Sequence, residues 1–340
     1  MPNFFTKEDL SMNHRERIEH AIAGKETDRL PYSLWWHFPN KDRMPRRLAE
    51  LAIHYQEALD LDFIKYMPYG MFSTIDWGTD LKVFEGFGEP PVAANFPIAT
   101  PEDWDKITPR CGTSGEYAIV LESQRIALKE LHCQVPIVQT VFSPLTTALK
   151  MAGEETLKKH LVECPEKVHK GLEVITETTK EFALAAVENG AAGVFFATQM
   201  ASRDRLNETQ LNEFMKKYDR VILDAIKDTS WFNVLHIHGS NIYFEELLDY
   251  PIQVLNWHDR DDGPSMEEAR AKTDRCFCGG LSHKHTLPNG TEEELRAQVQ
   301  DTWKHNDGKA VIFAPGCVVN PNTSDERLLL VKKLIEETAR

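Results

Sequence analysis

The 340-residue chain has no run of the ~20 consecutive apolar residues that a membrane span requires. Its opening, Met1 to Ser11, mixes charge with aromatics and has no continuous apolar core, unlike a secretory signal. Cysteine is scarce: the six, Cys111, Cys133, Cys164, Cys276, Cys278 and Cys317, are too few for a disulfide scaffold. A cytoplasmic location is expected, where any special cysteine is a ligand or a nucleophile. Basic residues are also short, 39 Lys and Arg against 53 Asp and Glu, for a formal charge of −14. Such a chain repels phosphate backbones and anionic bilayers, so neither nucleic acid nor membrane is an expected partner. Internal repeats, low-complexity tracts and linkers are absent, which excludes solenoids and tethered arrays.

The rest is ordinary globular material, 41% hydrophobic and 27% charged, enough for a large core. Eight short β-branched or aromatic runs recur along it: Leu30 to Trp36, Phe63 to Met67, Val135 to Val141, Gly193 to Ala197, Asn233 to His238, Ile252 to Trp257, Arg275 to Gly280 and Ala310 to Ala314. Stretches of helical periodicity lie between them, at Met44–Ala58, Glu154–Asn189, Glu208–Asp228, Tyr243–Leu248, Ser265–Thr273 and Thr291–His305. Strand and helix in alternation call for a parallel sheet, and eight repeats can close into an α/β (β/α)8 TIM barrel. A doubly wound open sheet is the second reading. Ser265 and Thr291 precede acidic first turns and fit helix N-caps. The Gly-, Pro- and Asp-rich region at about 70–111, including Gly86 to Pro91, looks like an irregular insertion in a single domain spanning 1–340. The first ~10 residues are expected to fray.

Barrel enzymes work where strands end and βα loops begin. The fifth run places His236 and His238 two apart, so both imidazoles point the same way. The eighth leaves the sheet through Pro315, Gly316 and Cys317. Three N and S ligands of this kind suit catalytic zinc. The sixth run ends at His258 and Asp259, either of which supplies a fourth ligand or supports one. An isolated His-x-His pair is more often hydrogen-bonded than ligating, and the strand-end cysteine brings the two readings level. Cys276 and Cys278 also share a face, but they precede their strand end and are expected to pack as small apolar groups. Candidate substrate contacts at the other strand ends are Trp35, Trp36, His37, Tyr66, Gln139 and Gln199, with His258 and His283 beyond the later strands.

With those residues in hand, the chain resembles the uroporphyrinogen decarboxylase superfamily over almost its full length. NHRERIEHAIAGKETDRLP, from Asn13 to Pro31, resembles that family's N-terminal helix and its Asp-Arg-hydrophobic-Pro entry to the first strand. Gly280 to Ser282 and Pro288 to Leu295 resemble its glycine turn and Gly-Thr-Glu-Glu helix start. The resemblance implies a (β/α)8 barrel. Two features set this chain apart from the porphyrinogen decarboxylases. Ser33 to Pro39 replaces their Arg-rich segment, and Tyr66 to Gly70 has no counterpart of their catalytic aspartate.

The other branch of the superfamily, zinc-dependent methyltransferases acting between a corrinoid protein and a thiol such as coenzyme M, carries His-x-Cys-Gly on the fifth strand and Pro-Gly-Cys on the eighth. Here the second motif is intact at Pro315–Cys317, while the first reads His236-Ile-His-Gly239, with His238 in place of cysteine. A carboxylate near the end of the sixth strand often completes that family's site and falls on or beside Asp259. The resemblance implies a zinc enzyme, with metal ligands His236, His238, Cys317 and Asp259. It would move a methyl group between a corrinoid (methylcobalamin or a corrinoid protein, as donor or acceptor) and a thiol or related small molecule. A non-porphyrin decarboxylase or lyase of the same superfamily is the second functional reading, and a noncatalytic corrinoid escort the third.

Overall fold

The computed structural model describes residues 11–82 and 91–339, so the first ten residues and most of the Gly86–Pro91 motif lie outside the described part. The described residues form nine strands: β1 Ile64–Tyr66, β2 Leu81–Lys82, β3 Val92–Ala93, β4 Ile137–Phe142, β5 Gly193–Thr198, β6 Val234–Ile237, β7 Val254–Trp257, β8 Cys276–Leu281 and β9 Val311–Pro315. Seven form one sheet in the order β1-β4-β5-β6-β7-β8-β9, every neighbouring pair parallel. All residues of these seven strands are buried, because crossover helices cover one face and the opposite face turns inward.

The remaining predicted run, Leu30 to Trp36, makes one bridge rather than a strand, Tyr32 to Phe313. Phe313 N donates to Pro31 O at 2.7 Å and Ser33 N to Phe313 O at 3.0 Å. On its other flank, Asp62 N donates to Tyr32 O at 2.9 Å. The segment therefore lies between β9 and β1, the two edges of the sheet, which curls to bring them together. A regular ladder fails for two reasons. Pro31 has no N–H to give, and the Tyr32 N–H goes to the Asp62 carboxylate at 2.9 Å. That carboxylate also accepts from Arg17 Nη1 at 2.5 Å and Arg29 Nη1 at 2.6 Å. Asp28, in turn, accepts from Arg17 at 2.7 and 2.8 Å, so the Asp28–Pro31 motif ties the N-terminal helix His14–Ile22 across the sheet edge.

Most helices begin and end near their expected positions, and Ser265 and Thr291 both form capping boxes. The long helix expected over Glu154–Asn189 is two, Glu154–Glu163 and Pro165–Glu188, broken where Pro165 forces Cys164 out of helical geometry. Helices Gly115–Glu130, Pro144–Ala152 and Asp325–Glu336 were not foreseen. Seven of the nine residues of Pro144–Ala152 are buried, so it presents no polar face to mark a period. Within 70–111 the described residues form two 3-10 turns and the antiparallel pair β2–β3, and Trp77, Ile98 and Trp104 join the large apolar cluster around the sheet. No helix among the described residues is long and apolar enough to cross a membrane.

Inside the curl, alternate strand residues build a second apolar layer from Trp35, Phe63, Val138, Phe195, Val234 and Ile312. Cys276 and Cys278 belong to this layer, and burial pushes the Cys276 thiol up to about 12. The layer forms the floor of the site.

Candidate metal centre

His236, on β6, pairs in register with Asn256 on β7, and the two side chains face each other inside the curl. Asn256 Nδ2 donates to Cys278 O at 2.6 Å and Pro315 O at 3.1 Å, which fixes the amide so that its oxygen accepts from His236 Nδ1 at 2.5 Å. The His236 proton is thereby held on Nδ1 and its Nε2 lone pair faces the open end. His238 follows two residues later, where Gly239 (φ 99°) turns the chain out of the strand.

Cys317 reaches the same point from β9. A Cβ on Gly316 would stand 2.8 Å from Trp257 O and 2.9 Å from His258 Cα, so only glycine lets this turn lie against the end of β7. Cys317 Sγ is then 3.6 Å from His238 Nδ1 and 3.9 Å from His236 Nε2. His258 is placed by its own loop: the N–H groups of 261, 262 and 263 all donate to its carbonyl, at 3.1, 2.8 and 3.0 Å. That turn folds Asp262 back under the ring, where its carboxylate accepts from His258 Nδ1 at 2.6 Å. His258 Nε2 is left buried with no hydrogen-bond partner.

One donor atom from each of His236, His238, His258 and Cys317 lies within 4.8 Å of all the others. Corners of a tetrahedron with bonds of about 2.0–2.3 Å stand about 3.3–3.8 Å apart; the two Cys317 separations, 3.6 and 3.9 Å, match that spacing, and pairs as wide as 4.8 Å would close by about 1 Å on a zinc ion. Electrostatics agree. Burial, and then the neighbouring His238, Lys65 and His258, hold His236 well below the usual imidazole range. Burial next to His258 brings His238 down to about 3, and burial also lowers His258 against the pull of Asp262. Three imidazoles neutral at physiological pH are what a cation needs. Burial raises the Cys317 thiol, opposed by Lys65.

Of the other predicted site residues, Asp259 does not join the four. Its buried carboxylate turns toward β8 and accepts from Gly280 N at 3.0 Å, and burial raises it to about 7. His258, one residue earlier, takes that place. His283 stands behind it, its ring 4.9 Å from that of His258 and its Nδ1 2.9 Å from Asp261.

A cavity of about 210 Å³ opens on three of the four, His236, His238 and Cys317, and Trp35, His37 and Gln199 also line it. Trp36 faces outward instead, edge-on to Tyr55 at 4.7 Å. Tyr66 and Gln139 are paired in register and point behind the sheet: Tyr66 hydrogen-bonds Ser123, and Gln139 Oε1 accepts from Gln124 at 3.1 Å. Period-two alternation turns their neighbours Lys65 and Thr140 into the cavity. Lys150, from the helix after β4, joins them, and burial brings both lysines down to about 8. The sequence reading missed all three; a lysine in the middle of the apolar run Phe63–Met67 was the available signal. A larger recess of about 570 Å³, between the loops after β6 and β7, holds no converging group of metal-ligating side chains among the described residues.

The uroporphyrinogen decarboxylase (URO-D) family model matches residues 13–338. A methylcobamide:CoM methyltransferase, MtaA, of Methanosarcina barkeri is 23% identical over 336 residues, 92% of this chain and 95% of that protein. A uroporphyrinogen decarboxylase of Campylobacter jejuni is 24% identical over 317 residues, 86% of each chain. Among solved structures, a methyltransferase from Methanosarcina mazei superposes with a TM-score of 0.83 at 20% identity, over 96% of this chain and 99% of its own. With the matched family model reaching almost from end to end, the chain belongs to the uroporphyrinogen decarboxylase family.

Proposed function

We propose that the protein is a zinc-dependent methyltransferase that moves a methyl group between a corrinoid and a thiol or related small-molecule acceptor. The observation that carries this is the convergence of His236, His238, His258 and Cys317 within 4.8 Å beside a cavity. The kinship with methylcobamide:CoM methyltransferases supports it. In this reading Leu30–Trp36 closes the sheet as the eighth member of a (β/α)8 barrel, residues 1–340 form one cytoplasmic domain with 70–111 inserted, and a corrinoid protein is the partner.

Zinc, when bound, would lower the pKa of a substrate thiol and so supply a nucleophile at neutral pH. The protein's own contribution is to hold three neutral imidazoles and one thiolate in place. Asn256 and Asp262 fix the proton on the far nitrogens of His236 and His258, which raises the basicity of the near ones. His258 comes from a loop rather than a strand, so its backbone is the freest of the four to shift as substrate enters, while Asp262 keeps its near nitrogen basic. The methylcorrinoid is substrate: a sulfur–carbon bond forms, a carbon–cobalt bond breaks with its electron pair left on cobalt, and the thiol proton passes to solvent. At about 210 Å³ the cavity suits a compact acceptor and is below the ~300 Å³ at which pockets for drug-sized ligands begin.

Metal analysis of protein purified without chelator tests the reading. About one zinc per chain is expected, lost in Cys317→Ser, together with thiol-dependent demethylation of methylcobalamin. Metal-free wild-type protein, or turnover of a small carboxylic acid to CO2 without thiol, would favour the lyase reading instead.

A further inference from the structure

His236, His238 and Cys317 form part of the cavity lining. The remaining wall contains two lysines, and among the described residues no aspartate or glutamate lines it. In a chain of net charge −14 this is a local reversal of sign. Lys65 is 9% exposed. Its ammonium lies 4.3 Å from the centre of the Phe195 ring and 5.4 Å from that of Trp35, and its one hydrogen bond is to Met67 Sδ at 3.2 Å. Lys150 Nζ lies 4.4 Å from the centre of the Phe142 ring. Aromatic faces and a thioether are weak partners for an ammonium, and a buried cation without an anion is costly.

Three further groups lining the same cavity make no hydrogen bond, and one of them, His37 Nδ1, faces the Asp42 carboxylate at 3.4 Å. The other two are Thr140 Oγ1 and Trp35 Nε1, both buried. An indole N–H only donates, a hydroxyl donates readily, and an ammonium only donates. The unspent hydrogen-bonding capacity of this wall is therefore almost wholly donor.

We propose that the cavity seats a small ligand by an anionic head, a carboxylate, sulfonate or phosphate, bound by Lys65 and Lys150 with Thr140 and Trp35 as neutral donors. The head is thus held beside the four donors, since Lys65 and His236 both lie against the Phe195 ring. The inference rests on the methyltransferase reading only for what the other end of the ligand does; the anion seat stands on the lysines and orphaned donors alone.

The test is calorimetric binding at pH 7 to protein of measured metal content. Butyrate, propane-1-sulfonate and propyl phosphate share a tail and rank the heads, with butyramide as the neutral control. 3-Mercaptopropionate and 2-mercaptoethanol add a thiol with and without the anion. At least one anion is expected to bind ~10-fold or more tightly than butyramide, the size of one charged hydrogen bond. Lys65→Met and Lys150→Met should each remove about that factor from the ratio of anion to butyramide affinity measured on the same variant. If Lys65→Met does not fold, the wild-type selectivity and the partly buried Lys150 decide.

Butyramide binding as tightly as every anion, or lysine variants retaining wild-type anion affinity, overturns the proposal. Because butyrate has no thiol, the two readings fail separately. Anions that bind through the lysines with no gain from a thiol leave the seat standing and count against the metal–thiol chemistry.

Discussion

Asn256 offers the most direct test of how the metal ligands are held. Its amide makes three buried hydrogen bonds: it accepts from His236 at 2.5 Å and donates to Cys278 O and Pro315 O at 2.6 and 3.1 Å. Asn256→Leu removes all three. Two carbonyls are then orphaned, at ~1–3 kcal/mol each, and His236 is free to put its proton on either nitrogen. Losing a partner of this kind typically weakens metal binding by ~10–100-fold, or about 1.4–2.7 kcal/mol. Asn256→Asp separates the two effects. It still accepts from His236 Nδ1, so metal affinity should hold or tighten, but it cannot donate to the carbonyls, so the metal-free protein should melt as early as the Leu variant. Zinc affinity is read by competition with a chromophoric chelator, and stability by thermal unfolding after metal removal. A folded Asn256→Leu protein that binds zinc within about threefold of wild type would refute the claim that this amide orients His236.

Three further outcomes are expected. Asp62→Asn removes the carboxylate that Arg17 and Arg29 share, but Arg17 keeps Asp28 and Arg29 keeps Asp60, so the cost should fall below the ~3–5 kcal/mol of an orphaned buried charge, at about 2 kcal/mol. Burial opposes ionisation of Asp62, but His14, Arg29 and Arg17 overcome it and hold its carboxyl below the usual range. Its contribution is therefore complete above the unfolded value of ~3.9 and is lost as pH falls through the lower folded value. Wild type and Asp62→Asn should accordingly converge in stability in strong acid and differ most near neutrality, and a constant difference down to acid pH would contradict this. Gly316→Ala drives a methyl into Trp257 O and His258 Cα; a loss of ~1–3 kcal/mol in melting experiments is expected, with weaker zinc retention, and an unchanged melt and metal content would show that the close approach is not needed. Tyr66→Phe should cost about 1 kcal/mol through Ser123 and leave ligand affinity unaltered; weakened ligand binding at unchanged stability would return Tyr66 to the cavity.

Strand positions were legible because both faces of each strand are buried, which makes the runs continuous and apolar. The same fact hid which residues face inward. In Phe63-Ile-Lys-Tyr-Met67 no polar alternation separates the two faces, and a shift of one residue exchanges them. Tyr66 and Gln139 were accordingly chosen where Lys65 and Thr140 line the cavity. His236, His238 and Cys317 escaped the ambiguity, because the histidine spacing fixes a common side and the Pro-Gly turn fixes where the chain leaves the sheet. The choice between His258 and Asp259 was not available from spacing. It depends on a loop that stacks three N–H groups on the His258 carbonyl and brings Asp262 under the ring. Lys150 reaches the cavity from a helix, so a search of strand ends could not find it.

These residues together alter the charge logic of the mouth. With His238 standing where the methyltransferase branch has a cysteine, and His258 where a carboxylate was expected, the four donors contain a single thiolate. Lys65 and Lys150 add positive charge, and no carboxylate among the described lining residues offsets it. With a divalent ion on the four donors, the cations of the mouth would outnumber its one anion by a wide margin in a space shielded from water. A neutral ligand would displace solvent from two ammonium groups and give nothing back, whereas an anionic one would pair them as it enters. The arrangement should thus show itself less in how tightly the cavity binds than in how sharply it discriminates between isosteric ligands of different charge.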